Sequence, residues 1–369
     1  SDISLTTAMK TPQDFIPSTT PLTVEQASFT WSAPSNIALV KYWGKKENQL
    51  PANPSLSFTL NNCKTVTTVN FSIQTNPSED WSFDLFFEGK PKDSFRPKIE
   101  TFLNRIEIYL PFLKKYHLEI HTENTFPHSS GIASSASGMA ALSMCLMSLE
   151  KELYPNISEN YFYEKASFLA RLGSGSACRS IQSELVSWGK NDTIKNSTDL
   201  YGVPFSEEIH SVFKEYQDTI LIVEKGAKTV SSTVGHNLMI GHPFAEKRFE
   251  QAHENLTQIK QILKEGNIQD FIKIVESEAL TLHAMMMTSM PYFILMKPNT
   301  LEIINKIWKF RNETAIPVCF TLDAGANVHV LYPENVKENV LQFIQDELVG
   351  YCQNGQYICD QIGNGAKSN

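Results

Sequence analysis

Pro127-His128-Ser129-Ser130-Gly131-Ile132-Ala133-Ser134-Ser135-Ala136-Ser137-Gly138 is the stretch on which the fold turns. Its residues are small, so the backbone can approach an anion closely. A helix is read from about Ser134 to Leu149. Its first turn presents unpaired N–H groups and a positive dipole end to the same point. Serine hydroxyls can donate to phosphate oxygens or ligate Mg²⁺. The patterns G-x-x-x-x-G-K-[ST] and G-x-G-x-x-G are absent, which argues against P-loop and dinucleotide folds. A small-residue helix start packed against a neighbouring helix has the same composition, and both readings stand at this level. His128 reads as a local turn residue rather than a catalyst.

Upstream, Phe29–Ala33 reads as a strand. Strand-like runs follow at Thr65–Gln74 and Trp81–Glu88, with a turn at Asn76 and Pro77 between them. The spacing of Ile99, Leu103 and Ile106 predicts a helix within Phe95–Tyr109, and Leu118–His121 reads as a short strand. Downstream, a helix is predicted over Glu159–Leu172, then a polar, turn-rich segment at Lys190–Phe205 and a strand at Thr219–Val223. Helical patterns dominate from Phe244 to Phe310. Val318–Leu322 and Val328–Tyr332 read as strands around an Ala-Gly-Ala-Asn turn, and Asn335–Leu348 as an amphipathic helix. The mixture predicts an α+β fold with mixed or antiparallel sheets partly covered by helices. A chain of 369 residues exceeds the size at which one core usually stops growing. The division read here is an extended or disordered arm at 1–27, a first domain at 28–205 and a second at 206–369.

Composition narrows the function classes. Thirty-two Lys and Arg against 40 Asp and Glu leave a net charge of −8, so a general nucleic-acid binder is disfavoured. A small anionic partner needs only a local basic cluster and stays open. The two longest uncharged stretches, 124–149 and 279–296, are interrupted by Ser, Thr, His and Pro, so no membrane span is expected. No basic segment followed by an apolar core opens the chain, and a cytoplasmic location is expected. The six cysteines form no C-x-x-C pair, which disfavours a zinc or dithiol site.

Three further motifs carry chemistry. In Ser32-Ala33-Pro34-Ser35-Asn36-Ile37-Ala38-Leu39-Val40-Lys41-Tyr42-Trp43-Gly44-Lys45-Lys46 a strand delivers Lys, Tyr and Lys to its end, which suits a multiply charged phosphate ester. Arg171-Leu172-Gly173-Ser174-Gly175-Ser176-Ala177-Cys178-Arg179-Ser180 combines a Ser/Gly anion loop with an arginine fork. Phe320-Thr321-Leu322-Asp323-Ala324-Gly325-Ala326-Asn327 puts a carboxylate at a strand end, where a lone Asp is most often a turn-former.

The Pro127–Ser137 string resembles the ATP loop of the GHMP small-molecule kinase superfamily. With the other motifs, and with Lys228-Thr229-Val230-Ser231-Ser232-Thr233-Val234-Gly235, the chain resembles the diphosphomevalonate decarboxylases. The resemblance runs from about residue 31 to residue 327. It implies a two-domain GHMP-kinase-like fold with a cleft between the domains, ATP and Mg²⁺, a small anionic substrate and a homodimer. The implied reaction is ATP-dependent decarboxylation of 5-diphosphomevalonate to isopentenyl diphosphate, in isoprenoid and sterol supply, through phosphorylation of the 3-hydroxyl. Alternatives on the same fold are a mevalonate 3-kinase or a 5-phosphomevalonate decarboxylase. A catalytically silent nucleotide-binding regulator is the alternative of another class.

By the same resemblance, Asp323 is the base or orienting acceptor, with Lys41 beside it and Arg179 as the oxyanion fork. Asn36, Tyr42, Trp43, Gly44, Lys45, Ser174, Gly175 and Ser176 are implied on the substrate side, with Ser231, Ser232 and Thr233 closing over substrate or γ-phosphate. Read by composition alone, Trp43 and Phe58 are core residues rather than an adenine stack. Ser130, Gly131, Ala133, Ser134 and Ser135 are implied to bind ATP, Ser135 being the Mg²⁺ contact. Thr233 stands where the family often has a basic residue, which leaves room for a monophosphate. Lys41 and Asp323 are 282 positions apart, so this site requires the two ends of the chain to meet.

Overall fold

In the computed structural model, residues 10–126, 134–226 and 232–369 are described. Two long antiparallel strands, β1 (Gln26–Val40) and β2 (Ser55–Ile73), form the spine, in register from Gln26 opposite Ser72 to Val40 opposite Leu56. The register shifts between Pro34 and Asn36 and again between Ala38 and Val40. A proline supplies no ladder donor, so an irregularity beside Pro34 is where one belongs. The first sheet also takes in β3 (Ser82–Phe87), β4 (Lys90–Pro91), β5 (Tyr116–Asn124), β6 (Leu185–Trp188), β7 (Val203–Pro204) and β12 (Lys367–Ser368). Its order is β12-β1-β2-β5-β3-β4, with β6 on the other half of β2 and β7 outside β6.

Helices α1 (Arg96–Ile106), α2 (Ser134–Leu153) and α3 (Glu159–Gly173) cover this sheet. Helix α2 is buried almost all round, from Ala136 to Glu150, as its Met, Leu and Ala composition requires. Ser158 caps α3 by accepting the Tyr161 N–H.

The second sheet is antiparallel, in the order β11 (Tyr357–Gln361), β8 (Gln217–Leu221), β10 (Val328–Tyr332), β9 (Cys319–Thr321). Around it lie α4 (Ser232–Asn237), α5 (Ala245–Glu265), α6 (Ile268–Met287), α7 (Pro298–Thr314) and α8 (Lys337–Phe343), the last running on into a single π-helical turn at Ile344–Leu348. Helix α5 stops at Gly266, whose φ of +76° and contact with the His210 ring leave no room for a Cβ.

The two sheets share a core. Ile37, Leu39, Val40, Leu56 and Phe58 pack with Ile220, Leu256, Phe271 and Val275. Asp360 on β11 accepts the N–H groups of Asn61, Asn62 and Cys63 on β2, fastening the second sheet to the spine. Strand β12 then pairs with Trp31 and Ser32 of β1, so the chain's last residues belong to the first sheet.

Differences from the sequence reading have local reasons. The first strand is not confined to Phe29–Ala33, because it runs straight through Pro34 to Val40. The first half of β2 was legible as Leu56, Phe58 and Leu60 alternating with Ser55, Ser57 and Thr59. The arm packs from residue 10 onward: Phe15 is fully buried, its ring centroid 4.6 Å from that of Phe168, and Leu22 N–H donates to Leu153. The turn-rich segment after Lys190 ends in β7, as part of the first sheet.

Candidate active site

Strand β1 ends by delivering Lys41 into the shared core, where its side chain is 3% exposed. The backbone there is gripped from three sides. Lys41 N–H donates to Glu278 Oε1 at 2.7 Å, and its carbonyl accepts from Asn53 Nδ2 and Arg248 Nη2, both at 2.9 Å. Glu278 on α6 and Arg248 on α5 pair through two 2.6 Å hydrogen bonds, and Asn255 adds a third to the carboxylate. Lys41 Nζ then lies 3.4 Å from Asp323 Oδ1, on the connection after β9. Asp323 is 31% exposed, so its carboxylate faces both a buried ammonium and open space. Burial lowers the Lys41 pKa, and the nearby Arg179 adds to that, while Asp323 and Glu278 oppose it.

Asp323 is held from behind as well. His283 of α6 donates from Nε2 to its carbonyl at 2.9 Å. Above all, burial pushes His283 down to about 4, so its ring is neutral at ordinary pH.

Arg179 follows α3 in a 3-10 turn, Gly175–Ser180. Its Nη1 donates to Ser55 Oγ at 2.5 Å and its Nε to Asn36 Oδ1 at 3.2 Å. The Asn36 amide donates in turn to the Ser176 carbonyl and to Ser180 Oγ. Asn36 is thus placed as the internal brace of this turn, with its amide engaged inside the protein. Ser174 and Ser176 are partly exposed on it. A Cβ on Gly175 would sit 2.9 Å from Trp188 and 3.0 Å from the Tyr42 hydroxyl, so only glycine lets these rings close over the turn.

Beyond Lys41, Gly44 has a φ of +106° and donates to His236 Nδ1 at 2.8 Å. His236, on α4, stacks on Tyr42 and lies tilted against Trp43. Trp43 packs into an apolar cluster with Met239, Leu282 and Met285, a core position as its composition indicates and not an open face. Lys45 is partly exposed, its pKa lowered by burial and by Arg105. Ser130, Gly131, Ala133 and Ser231 lie outside the described residues, as do the side chains of Ser232 and Thr233, whose backbone opens α4.

A largely apolar cavity opens beside the start of α2. Phe87, Phe95, Lys98, Asn124, Ser134 and Ser135 are among its walls. Ser135 is exposed in the first turn of a 20-residue helix, where an anion is favoured. Among the described residues no group of three or more His, Cys, Asp or Glu is arranged to hold a metal ion.

A model of the diphosphomevalonate decarboxylase-like N-terminal domain matches residues 33–199, and one of the mevalonate 5-diphosphate decarboxylase C-terminal domain matches residues 219–365. The diphosphomevalonate decarboxylase of Debaryomyces hansenii is 31% identical over 343 residues, covering 88% of this chain and 83% of that relative. The chain belongs to the diphosphomevalonate decarboxylase family. Among solved structures, the mevalonate diphosphate decarboxylase of Legionella pneumophila matches with a TM-score of 0.75 at 30% identity, over 90% of this chain and 100% of that one. A complex of MDDEF with MVAPP, AMPPCP and magnesium matches with a TM-score of 0.78 at 29% identity, over 93% and 99%. The fold is accordingly the mixed helix-and-sheet, GHMP-kinase-like one.

The donors at the start of α2 suit a nucleotide–Mg²⁺ complex: hydroxyls and helix N–H groups, without a carboxylate cage. Mg²⁺ in such sites keeps most of its shell from phosphates and water. Several groups around Lys41 were invisible to motif reading. Glu278, Arg248 and Asn255 are single polar residues on helices, and only their burial marks them. His283 is likewise a single polar residue on a helix, marked by its burial.

Two outcomes follow from these contacts. Glu278→Gln leaves Arg248 buried without its counter-charge and slackens the grip on Lys41. It should cost about 3 kcal/mol or more in urea unfolding and reduce turnover, and unchanged stability would refute the clamp. His283 is neutral when folded and protonates near 6.5 when unfolded. Its contribution is therefore full above pH 6.5 and lost as pH falls through about 4. That loss amounts to roughly 3 kcal/mol. Denaturation midpoints between pH 7 and 4 should fall less steeply for His283→Gln than for the parent.

Proposed function

We propose that this protein catalyses the ATP-dependent decarboxylation of 5-diphosphomevalonate to isopentenyl diphosphate, with release of ADP, phosphate and CO₂. The observation that carries the reading is the 3.4 Å approach of Lys41 to Asp323, a buried cation and a partly exposed acid from opposite ends of the chain. A tertiary 3-hydroxyl is a crowded nucleophile, and hydroxide is a poor leaving group. Asp323 accepts the hydroxyl hydrogen bond and takes its proton as that oxygen is phosphorylated. Lys41 holds the carboxylate in place and offsets charge on the phosphoryl group in flight. The C3–O bond then breaks with phosphate leaving. Positive charge at C3 develops opposite the Asp323 carboxyl group, and the C–CO₂ bonding pair becomes the new double bond.

Arg179 is the fork for a substrate oxyanion. Tyr42, Lys45, Ser174 and Ser176 line the approach to it, while Asn36, Trp43, Gly44 and Gly175 shape that approach from behind. The family resemblance assigns Ser231, Ser232 and Thr233 to the substrate or γ-phosphate. The nucleotide base lies in the cavity walled by Phe87, Phe95 and Lys98, with its phosphates at Ser130, Gly131, Ala133, Ser134 and Ser135. Ser135 would hold Mg²⁺ together with the nucleotide, and the ion would supply charge neutralisation there.

We further infer two units, 28–205 and 206–369, preceded by the arm; each is built on one of the two sheets, with β12 at the end of the second unit pairing into the first sheet. We infer a homodimer through the exposed side chains of Ile240, Phe244, Met290, Tyr292 and Ile294, on two connections that touch where His242 Nε2 meets Thr288 Oγ1. A cytoplasmic place in isoprenoid and sterol supply suits six unpaired cysteines.

With ATP and Mg²⁺, 5-diphosphomevalonate should yield CO₂, ADP and phosphate in equal amounts, and 5-phosphomevalonate and mevalonate should yield far less. Accumulation of a stable 3-phosphate without CO₂ would replace this reading with a kinase. Nucleotide binding without turnover on any ester would make the protein a regulator.

A further inference from the structure

Asp323 has a second neighbour, on its other oxygen. His329 of β10 lies with Nε2 3.6 Å from Asp323 Oδ2, while its Nδ1 is 2.8 Å from Oδ2 of Asp218 on β8. All of this is interior: His329 is 3% exposed and Asp218 fully buried. Among the described residues Asp218 Oδ1 has no hydrogen-bond partner, so the imidazole is that carboxylate's principal support. A neutral imidazole has one N–H, and an ionised carboxylate only accepts. Here Nδ1 is within hydrogen-bond distance of Asp218, and Nε2 is in ion-pair range of Asp323. Burial raises the Asp218 pKa, and His329 opposes that. With both carboxylates ionised, the imidazolium is the form that turns a positive N–H to each. Two carboxylates then stand against two cations, Lys41 and His329, with one cation on each oxygen of Asp323.

We propose that His329, as an imidazolium bridging Asp218 and Asp323, is a positioning residue that fixes the plane of the Asp323 carboxylate for reaction. The proposal rests on Asp323 being the group that meets the substrate hydroxyl, as set out above. Burial pulls the His329 pKa down, but Asp218 and, less strongly, Asp323 outweigh it and the net direction is up. Lys41, from the end of β1, opposes them. Asp360 of β11 acts on Asp218 from further off, with its oxygens engaged by the backbone of β2. His283, from α6, is neutral and faces the Asp323 carbonyl. Loss of the His329 proton at alkaline pH removes one of the two anchors, so the rate of the bound complex should fall there.

The experiment is the pH profile of kcat and KM for ATP-driven CO₂ release from 5-diphosphomevalonate, in the parent, His329→Gln, His329→Lys and Asp218→Asn. Thermal unfolding of each is measured alongside. The parent should show an alkaline limb in kcat. Asp218→Asn removes the charge that raises the imidazole pKa, so the limb should move to lower pH. His329→Gln should lose about 10- to 100-fold in kcat with KM changed less than threefold, and the limb should vanish. His329→Lys restores a cation between the carboxylates and should regain most of the rate.

A His329→Gln enzyme within twofold of the parent, or a lysine variant as poor as the glutamine one, would overturn the proposal. So would coincident profiles for the parent and Asp218→Asn, which decides the matter if the His329 variants do not fold. Failure of the parent itself to release CO₂ would instead overturn the reading of Asp323.

Discussion

Glu278 and Arg248 form a fully buried, doubly hydrogen-bonded ion pair, and both its charged ends reach the backbone of Lys41. Burying two charges is costly, and such a pair is weak evidence for stability in its own right. Its use here is positional. Helices α5 and α6 belong to the second sheet's unit, and β1 to the spine of the first. The pair joins them at the residue where the strand ends. Everything downstream in the site takes its place from that junction: the lysine points at Asp323, Tyr42 closes on Gly175, and Gly44 reaches His236.

The electrostatics around Asp323 share one design. One carboxylate, about a third exposed, is met by a lysine on one oxygen and a histidine on the other, with a second histidine on its carbonyl. Arg179 stands in the same field, anchored by Asn36 and Ser55. The bases and cations are buried and the acid is open to solvent. Low-polarity surroundings keep the cations' fields strong, while the acid remains within reach of a ligand. A site of this kind is preorganised: little has to move to stabilise charge that appears during reaction.

The sequence carried the fold class because its local signals agreed with the global one. Helical spacing of Ile99, Leu103 and Ile106 matches a helix that buries those residues, and β9 and β10 lie within the strands read around the Gly325 turn. The pairing of Lys41 with Asp323 was legible only through motif resemblance, since no spacing rule links residues so far apart. Asn36 and Trp43 show the limit of that route. A motif says a residue belongs at a site, but not whether it touches ligand, braces an arginine or fills a core. Glu278, Arg248, Asp218 and His329 were illegible for another reason. Each is one polar residue on an otherwise ordinary element, and its meaning comes from a partner on another element. The first half of β2 had its alternation in plain view, and pattern alone could have supplied it as well.

The central claim is that Lys41 and Asp323 work as one unit on one reacting centre. A double-mutant cycle on kcat for CO₂ release, with Lys41→Met, Asp323→Asn and the pair combined, tests it most directly. Each single change should cost about a thousandfold or more, and the double should be scarcely worse than either. Losses that multiply, giving a double variant slower by the product of the two, would mean that the two side chains act independently.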